Sequence, residues 1–380
     1  MRGPILPGST LGILGGGQLG RLTAMAARSL GYHIHVLDPD DRCAARFVVD
    51  RCLTARFDDD FAAADLARHC AVVTLEIEQV SLASLDAARR YAPVRPSAAV
   101  LGVIRDRARQ KQWLADRGFP LGPWRRVTDP GALAEALSDF GSRCFVKVCT
   151  GGYDGRGQGI TDNPADAPAV FAALGGGPCV VEKGLDLQGE LSVLVARRPS
   201  GEVAVYPPAV NHHAERILVW SVLPGELDPR VTREAMEMAR SIAEALEVEG
   251  LLVVEMFLGQ DGSLRVNELA PRPHNSFHAT EVTALTSQFE QAVRAVCDLP
   301  LGSTEVLRPA AIANLLGDLW VGDRPPRFEA AMALPGVRVH LYGKRLARPG
   351  RKMGHLSAVG ATPADAVALV QTAYARLTAG

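Results

Sequence analysis

The sequence predicts an α/β and α+β chain of three domains, opening on a doubly wound parallel sheet, and three observations carry that prediction. Near the N-terminus a strand, a glycine turn, a helix and a second strand ending in an acid follow one another, the first unit of a doubly wound fold. In the middle, a strand-like run delivers Lys147 into a loop holding Gly151, Gly152, Gly155 and Gly157. Further on, an apolar hairpin carries Glu255 and Glu268 among valines.

Composition narrows the function classes. The 380 residues are 47% hydrophobic and 22% charged with a net charge of -1, so no global basic field argues for nucleic acid. Seven cysteines at 43, 52, 70, 144, 149, 179 and 297 form no CxxC pair, which predicts reduced thiols and suggests neither a zinc site nor a disulfide framework. The N-terminal segment lacks an apolar signal core, and no apolar run approaches the ~20 residues that span a bilayer. The expectation is a cytoplasmic protein with no membrane partner.

Element by element, Thr10 to Leu14 reads as a strand running into Gly15-Gly-Gly-Gln-Leu-Gly20. A helix from Leu19 to Leu30 stops at Gly31, and His33 to Leu37 is a second strand closed by Asp38. The turn fits GxGxxG with Asp38 near the ribose position, which leaves a dinucleotide reading open, although any tight strand-to-helix turn favours the same residues. Ala71 to Leu75 is a third strand that ends in Glu76 and Glu78, where open α/β sheets bind ligands. Helices follow at Phe57–His69 (before that strand), Leu82–Tyr91 and Asp106–Arg117, the last with charges expected on a solvated face.

The central stretch KVCTGGYDGRGQ, Lys147 to Gln158, combines glycines with Lys147, Tyr153, Asp154 and Arg156. Glycine lets backbone amides crowd around an anion, and a lysine adds a point charge for phosphate oxygens. No GxxxxGK[ST] is present, so this is a phosphate loop of a different kind from Walker A. Ala132–Phe140 is helical, and Cys179–Lys183 is a strand that brings Glu182 to the loop's exit, as a lid over a nucleotide would require.

His212 and His213 fall between two strands, and as neighbours they face opposite ways, which argues against a shared metal. Read with a two-residue loop, the hairpin from Leu251 to Leu269 sets Glu255 opposite Val266, with Glu268 its diagonal neighbour on one face. Two carboxylates there suit Mg2+ that also holds substrate phosphates. Pro271 to His278 follows, a stiffened loop with Arg272 and His274. Between strands at Ala310–Leu316 and Val337–Leu341 and a closing helix at Pro363–Leu377, a basic run carries Lys344, Arg345, Arg348, Arg351 and Lys352 without an acid. In a nearly neutral protein that points to a phosphate or carboxylate ligand.

Four stretches in order, GGGQLGR, TGGYDGRGQ, NELAPRPHNS and RPGRKMGH, resemble the ATP-grasp superfamily and, within it, the N5-carboxyaminoimidazole ribonucleotide synthetases of purine biosynthesis. The resemblance covers essentially the whole chain. It implies an N-terminal domain over residues 1–108, a lid over 109–186, a C-terminal mixed-sheet domain over 187–380, and a homodimer. It implies a ligase that uses ATP, Mg2+ and bicarbonate to carboxylate 5-aminoimidazole ribonucleotide through carboxyphosphate.

Carried over residue by residue, the resemblance places Arg107 and Lys147 on ATP and closes Gly152, Tyr153, Asp154, Gly155, Arg156, Gly157 and Gln158 over its phosphates. Glu182, Lys183, Gly184 and Leu185 would meet adenine, with Glu190 on the ribose and His213 nearby. Glu255, Asn267 and Glu268 would hold Mg2+. The ribonucleotide would meet Tyr153, Asp154, Arg156, Arg272, His274, Asn275, Ser276, Lys344 and Arg351, with Gln18, Leu19 and Glu76 bordering it by analogy with related members. The catalytic set is Asp154, to orient the amine and take its proton, with Tyr153, Lys344 and Arg351. Phe277 departs from the family's NSGH pattern. Other readings are a sister ligase (a formate-dependent glycinamide ribonucleotide transformylase or a biotin carboxylase), an NAD-linked oxidoreductase, and a non-catalytic ATP sensor.

Overall fold

Four short strands build the first sheet in the computed structural model, which describes residues 3–152, 157–214, 217–321 and 325–378. They are β1 (Thr10–Leu14), β2 (His33–Asp38), β3 (Arg51–Thr54) and β4 (Val72–Leu75), all parallel in the order β3-β2-β1-β4. Helices α1 (Gln18–Ser29) and α2 (Asp60–Arg68) connect them. Both faces of β1 and β4 are buried, which is why those strands read as unbroken apolar runs. Sequence reasoning missed β3, an edge strand whose Arg51 and Thr54 are exposed and which lacks that signal.

The chain continues through α3 (Leu82–Arg89), α4 (Ala98–Ile104) and α5 (Arg107–Asp116). Ser81, Ser97 and Asp106 each accept a hydrogen bond from the backbone amide three residues on, fixing where these helices begin. Leu114 of α5 packs with Val100 and Ile104 into the largest core cluster, against the third sheet described below. The inner side of α5 therefore carries buried Gln110 and Lys111, so the solvated face expected for this helix is only its outer half.

A small antiparallel sheet follows, ordered β5-β8-β6-β7 from β5 (Trp124–Val127), β6 (Cys144–Val148), β7 (Gln158–Thr161) and β8 (Cys179–Lys183). Helices α6 (Pro130–Phe140) and α7 (Ala167–Ala173) cover one face, packing Leu133, Leu137 and Phe171 on Val127, Val146 and Val181. Tyr153, Asp154, Gly155 and Arg156, singled out above, lie between β6 and β7 outside the described residues.

The third sheet has nine strands among the described residues: β9 (Leu187–Arg197), β10 (Val203–Val205), β11 (Ala209–Ala214), β12 (Ile217–Leu223), β13 (Gly250–Gly259), β14 (Leu264–Ala270), β15 (Ala310–Leu316), β16 (Val337–Leu341) and β17 (Lys352–Val359). The order is β14-β13-β9-β11-β12-β15-β17-β16, with β10 paired to β9. A parallel bridge from Leu121 to Val266 of β14 is added outside the nine strands, which pair antiparallel throughout. Short connections such as those of β11–β12 and β13–β14 permit nothing else, since a parallel neighbour needs a long crossover. Around the sheet lie α8 (Pro229–Ala245), α9 (Thr280–Thr283), α10 (Gln288–Val296), α11 (Asp318–Val321), α12 (Phe328–Met332) and α13 (Pro363–Thr378). Val293 and Val296 of α10 pack on Leu11 and Ile34, docking the first sheet onto the third. No described helix is long and apolar enough to cross a membrane.

Phe277, the departure from the family pattern, is fully buried, with its ring edge-on to Tyr206 at 6.2 Å between centroids. It fills core volume behind the Asn275–Ser276 segment. Phe277→Leu is expected to cost about 1–2 kcal/mol in a urea-unfolding measurement, the loss of a few buried carbons. An unchanged midpoint would show that the ring contributes no packing.

Candidate active site

One cavity of about 1550 Å3 opens where the three sheets meet. Gln18, Leu19 and Glu76 line it from the first sheet; Lys147, Gly152, Gly157, Gln158 and Glu182 to Leu185 from the second; and Glu190, His213, Glu255, Asn267, Glu268, Arg272, His274 and Asn275 from the third. Arg107 reaches it from α5, and Lys344 and Arg351 close it from the loop between β16 and β17.

The hairpin of β13 and β14 differs from expectation in register. Gly259 N–H bonds the Ser263 carbonyl around Gln260, Asp261 and Gly262, and Gly262 takes φ +74, a conformation glycine adopts without strain. Leu258 then pairs with Leu264 and Met256 with Val266, and the ladder shifts before Glu255 so that Glu255 lies directly opposite Glu268. The extra residue, Asn267, is a bulge that brings the two carboxylates face to face in place of the diagonal expected for a regular ladder. Glu255 Oε1 lies 3.1 Å from His274 Nε2, and Glu268 Oε2 lies 2.7 Å from Arg107 Nη1. Burial pushes the Glu255 carboxyl up, but His274, His213 and Arg272 outweigh it and hold it at about 2. Asn267 Oδ1 is buried without a partner. Two opposed carboxylates beside an unsatisfied amide oxygen form a hard-oxygen donor set that fits Mg2+.

Glu182, at the end of β8, lies between two lysines: Lys147 Nζ at 3.0 Å and Lys111 Nζ at 3.2 Å. Lys111 is 4% exposed and was not singled out by sequence. The signal existed, because Arg107, Gln110, Lys111 and Leu114 recur at helical spacing on one face. Burial raises the Glu182 carboxyl, yet the two ammonium groups prevail and hold it at about 2, below the ordinary 4.5 of such a group. A depressed carboxylate stabilises the fold above its unfolded pKa, and that stability is lost as pH falls from about 4.5 towards 2. Urea midpoints measured from about pH 6 to about pH 3 should therefore fall in the wild type. Glu182→Gln should be less stable at the upper end and show a flatter decline; parallel declines would remove Glu182 from the acid transition.

Three further pairs set the remaining walls. His213 Nδ1 lies 3.1 Å from Glu190 Oε2. The two histidines lie within β11 and not between strands, and a ladder shift between them turns His212 onto Trp220. Arg272 Nε lies 2.8 Å from Glu78 Oε1. Lys344 Nζ donates to Gln18 Oε1 and to the Lys352 carbonyl, each at 2.7 Å, tying the basic loop to the first sheet. Arg351 Nη1 donates to the Leu346 carbonyl at 2.7 Å.

Known proteins share this fold over nearly the whole chain. Residues 9–105 match the ribonucleotide synthetase preATP-grasp domain, 112–289 the ATP-grasp domain, and 310–368 the phosphoribosylaminoimidazole carboxylase C-terminal domain. The chain is 39% identical to the N5-carboxyaminoimidazole ribonucleotide synthase of Brucella melitensis, over 93% of this chain and 97% of that one. The Bacillus subtilis enzyme of that name is 37% identical over 93% and 92%. The chain belongs to the N5-carboxyaminoimidazole ribonucleotide synthase family. Among solved structures, an ADP complex of such a synthetase superposes with a TM-score of 0.92 at 37% identity, covering 98% of both chains. The Aspergillus clavatus synthase in complex with ADP and 5-aminoimidazole ribonucleotide gives 0.90 at 31% identity, over 97% of this chain and 98% of that one. This N5-carboxyaminoimidazole ribonucleotide synthase is thus an ATP-dependent ligase of purine biosynthesis with the three-domain ATP-grasp fold.

In this synthase the N-terminal glycine turn is occupied by the chain itself. Gly17 N–H donates to Glu76 Oε1 at 2.7 Å, Gly20 N–H to Glu76 Oε2 at 2.9 Å, and Gly16 N–H to Asp38 Oδ2 at 2.7 Å. The amides that would cradle a dinucleotide pyrophosphate already hold two carboxylates, which removes the physical basis of the NAD reading. A Cβ on Gly20 would lie 2.4 Å from the Gly15 carbonyl oxygen, so glycine is required there by close approach of the backbone. Ser276, expected on the ribonucleotide, is fully buried and outside the cavity lining. Its hydroxyl contacts Ser192 Oγ and His274 Nδ1, each at 2.8 Å, so it orients His274 from behind. Asn275 is buried beside it, with Oδ1 3.1 Å from His278 Nε2.

Proposed function

We propose that this synthase joins bicarbonate to the amine of 5-aminoimidazole ribonucleotide at the expense of ATP, giving N5-carboxyaminoimidazole ribonucleotide, ADP and phosphate. The observation that carries the residue assignment is the lining of one cavity, to which the paired acids Glu255 and Glu268, Lys147, Arg272 and the Lys344–Arg351 loop all contribute. Glu255, Glu268 and Asn267 would hold Mg2+, which supplies charge neutralisation for the triphosphate. Lys147 and Arg107 bind the phosphates, and Glu182 to Leu185 together with Glu190 and His213 meet the nucleoside. Bicarbonate oxygen takes the γ-phosphoryl group to give carboxyphosphate. The ribonucleotide amine then attacks its carbonyl carbon, the carbon–oxygen bond to phosphate breaks, and the amine proton passes to a base.

Sequence resemblance assigns that base to Asp154, which lies outside the described residues. Lys344, which donates to Gln18, and Arg351 would bind the 5′-phosphate or the carboxyphosphate oxygens. Closure of the loop over the cavity would exclude the water that hydrolyses the mixed anhydride. A cytoplasmic homodimer, which the family resemblance implies, completes the proposal. Light scattering that returns a monomer at working concentration would remove the dimer.

The deciding experiment is phosphate release from ATP with and without the ribonucleotide, in bicarbonate-supplied and bicarbonate-depleted buffer. Release that requires both, with loss of the free amine, is the expected result. Release with neither dependence would overturn the substrate assignment.

A further inference from the structure

Away from the reacting atoms, three side chains converge that no step above uses. His340 of β16 lies directly across the ladder from His355 of β17, and Glu281 of α9 meets them. One donor atom from each lies within 4.8 Å of the other two. His355 is fully buried, and its Nε2 has no hydrogen-bond partner. Glu281 Oε2 is likewise buried and unpartnered. An imidazole nitrogen and a carboxyl oxygen, both desolvated and both unsatisfied, cost free energy unless something with donor or cationic character lies between them.

We propose that Glu281, His340 and His355 form a structural site for a divalent transition-metal ion of the zinc class. Two imidazoles and one carboxylate are the borderline donors such ions take, with water completing the tetrahedron. The set contrasts with the all-oxygen donors of Glu255, Asn267 and Glu268, so the two sites select different ions. His355 Nδ1 lies 2.8 Å from the Tyr342 hydroxyl, a partner of the kind that orients a ligating imidazole and leaves Nε2 for the metal. The rings of His340 and His355 stack at 4.3 Å, only 6° from parallel, and His278 stacks on His355 at 4.4 Å. Binding must tilt His340 and His355 towards a common point, and their position as paired cross-strand neighbours makes that a side-chain motion alone.

Placement gives the site its purpose. β16 and β17 flank the loop that carries Lys344 and Arg351, and α9 follows directly on the segment of Arg272, His274 and Asn275. An ion held by all three elements clamps the basic loop to that segment. Tyr342, the partner of His355, also lies under the Lys344 ammonium, 5.5 Å from ring centroid to Nζ.

The test uses the full chain, stripped with a chelator and dialysed, then titrated with Co2+ and separately with Zn2+. One equivalent of Zn2+ should survive gel filtration. Co2+ should give visible ligand-field bands without the charge transfer of a thiolate ligand, which separates this site from the cysteines. His340→Gln and Glu281→Gln should each weaken retention ~10-fold or more, whereas Glu268→Gln should leave it unchanged. If one variant does not fold, the other decides. No ion retained, or retention indifferent to both substitutions, would overturn the proposal and leave a bridging water as the partner of these atoms.

Discussion

Glu268→Gln is expected to leave the chain folded and to lower ATP-dependent turnover on the order of 10²–10³-fold, the scale on which removal of one preorganised charge-stabilising group acts. The substitution keeps the shape of the side chain and its hydrogen-bonding capacity towards Arg107, at 2.7 Å, and removes one negative charge. Glu268 is 42% exposed on its side chain, so the fold does not depend on the charge. What changes is the pair: the bulge at Asn267 sets Glu268 opposite Glu255, and a divalent ion held between two carboxylates loses half of its anionic ligation. Calorimetric titration of Mg2+-ATP should weaken, and the Mg2+ concentration for half-maximal phosphate release should rise. A wild-type Mg2+ dependence would refute the assignment of this pair to the metal, whatever happened to turnover.

How much of this was legible in the sequence follows from the range of the interactions. β1, β8 and β15 appear with the bounds that their apolar runs announce, because a strand buried on its faces writes its limits into local composition. The residues that line the cavity could be named because glycines, prolines and isolated charges in apolar surroundings have few structural uses. Their partners could not. Arg107 finds Glu268 across 161 residues and Lys344 finds Gln18 across 326, and no local rule connects positions so distant. The register of the β13–β14 hairpin failed for a smaller reason: a bulge is one residue, and neither Gly262 nor Asn267 dictates it alone. The Ser276 contact was equally out of reach, because a hydroxyl in a polar motif reads the same whether it faces a cavity or, as here, the back of His274. Lys111 was lost by reading α5 as charged throughout, when its spacing with Arg107 and Leu114 marks the inward side.

Glu76→Ala should be among the most destabilising single substitutions in the first domain, costing about 3–6 kcal/mol. The carboxylate is almost fully buried and each of its oxygens accepts one backbone amide, from Gly17 and from Gly20. Alanine leaves the buried Gly20 amide and the half-buried Gly17 amide without their acceptors, about 1–3 kcal/mol each, and removes the packing of the side chain against the turn. Because Gln18 lies between those glycines and accepts from Lys344, loosening the turn should also raise the KM for the ribonucleotide more than that for ATP. Glu76→Gln is the control: its amide oxygen serves one donor while its NH2 faces the other, so its stability should fall between wild type and alanine. A turn built to receive an external phosphate would behave in the opposite way, since removing a carboxylate from it would improve anion binding. Wild-type stability in Glu76→Ala, with a thermal shift on adding NAD, would restore the dinucleotide reading. Loss of stability with no response to NAD would fix Glu76 as the anion around which the N-terminal turn is folded.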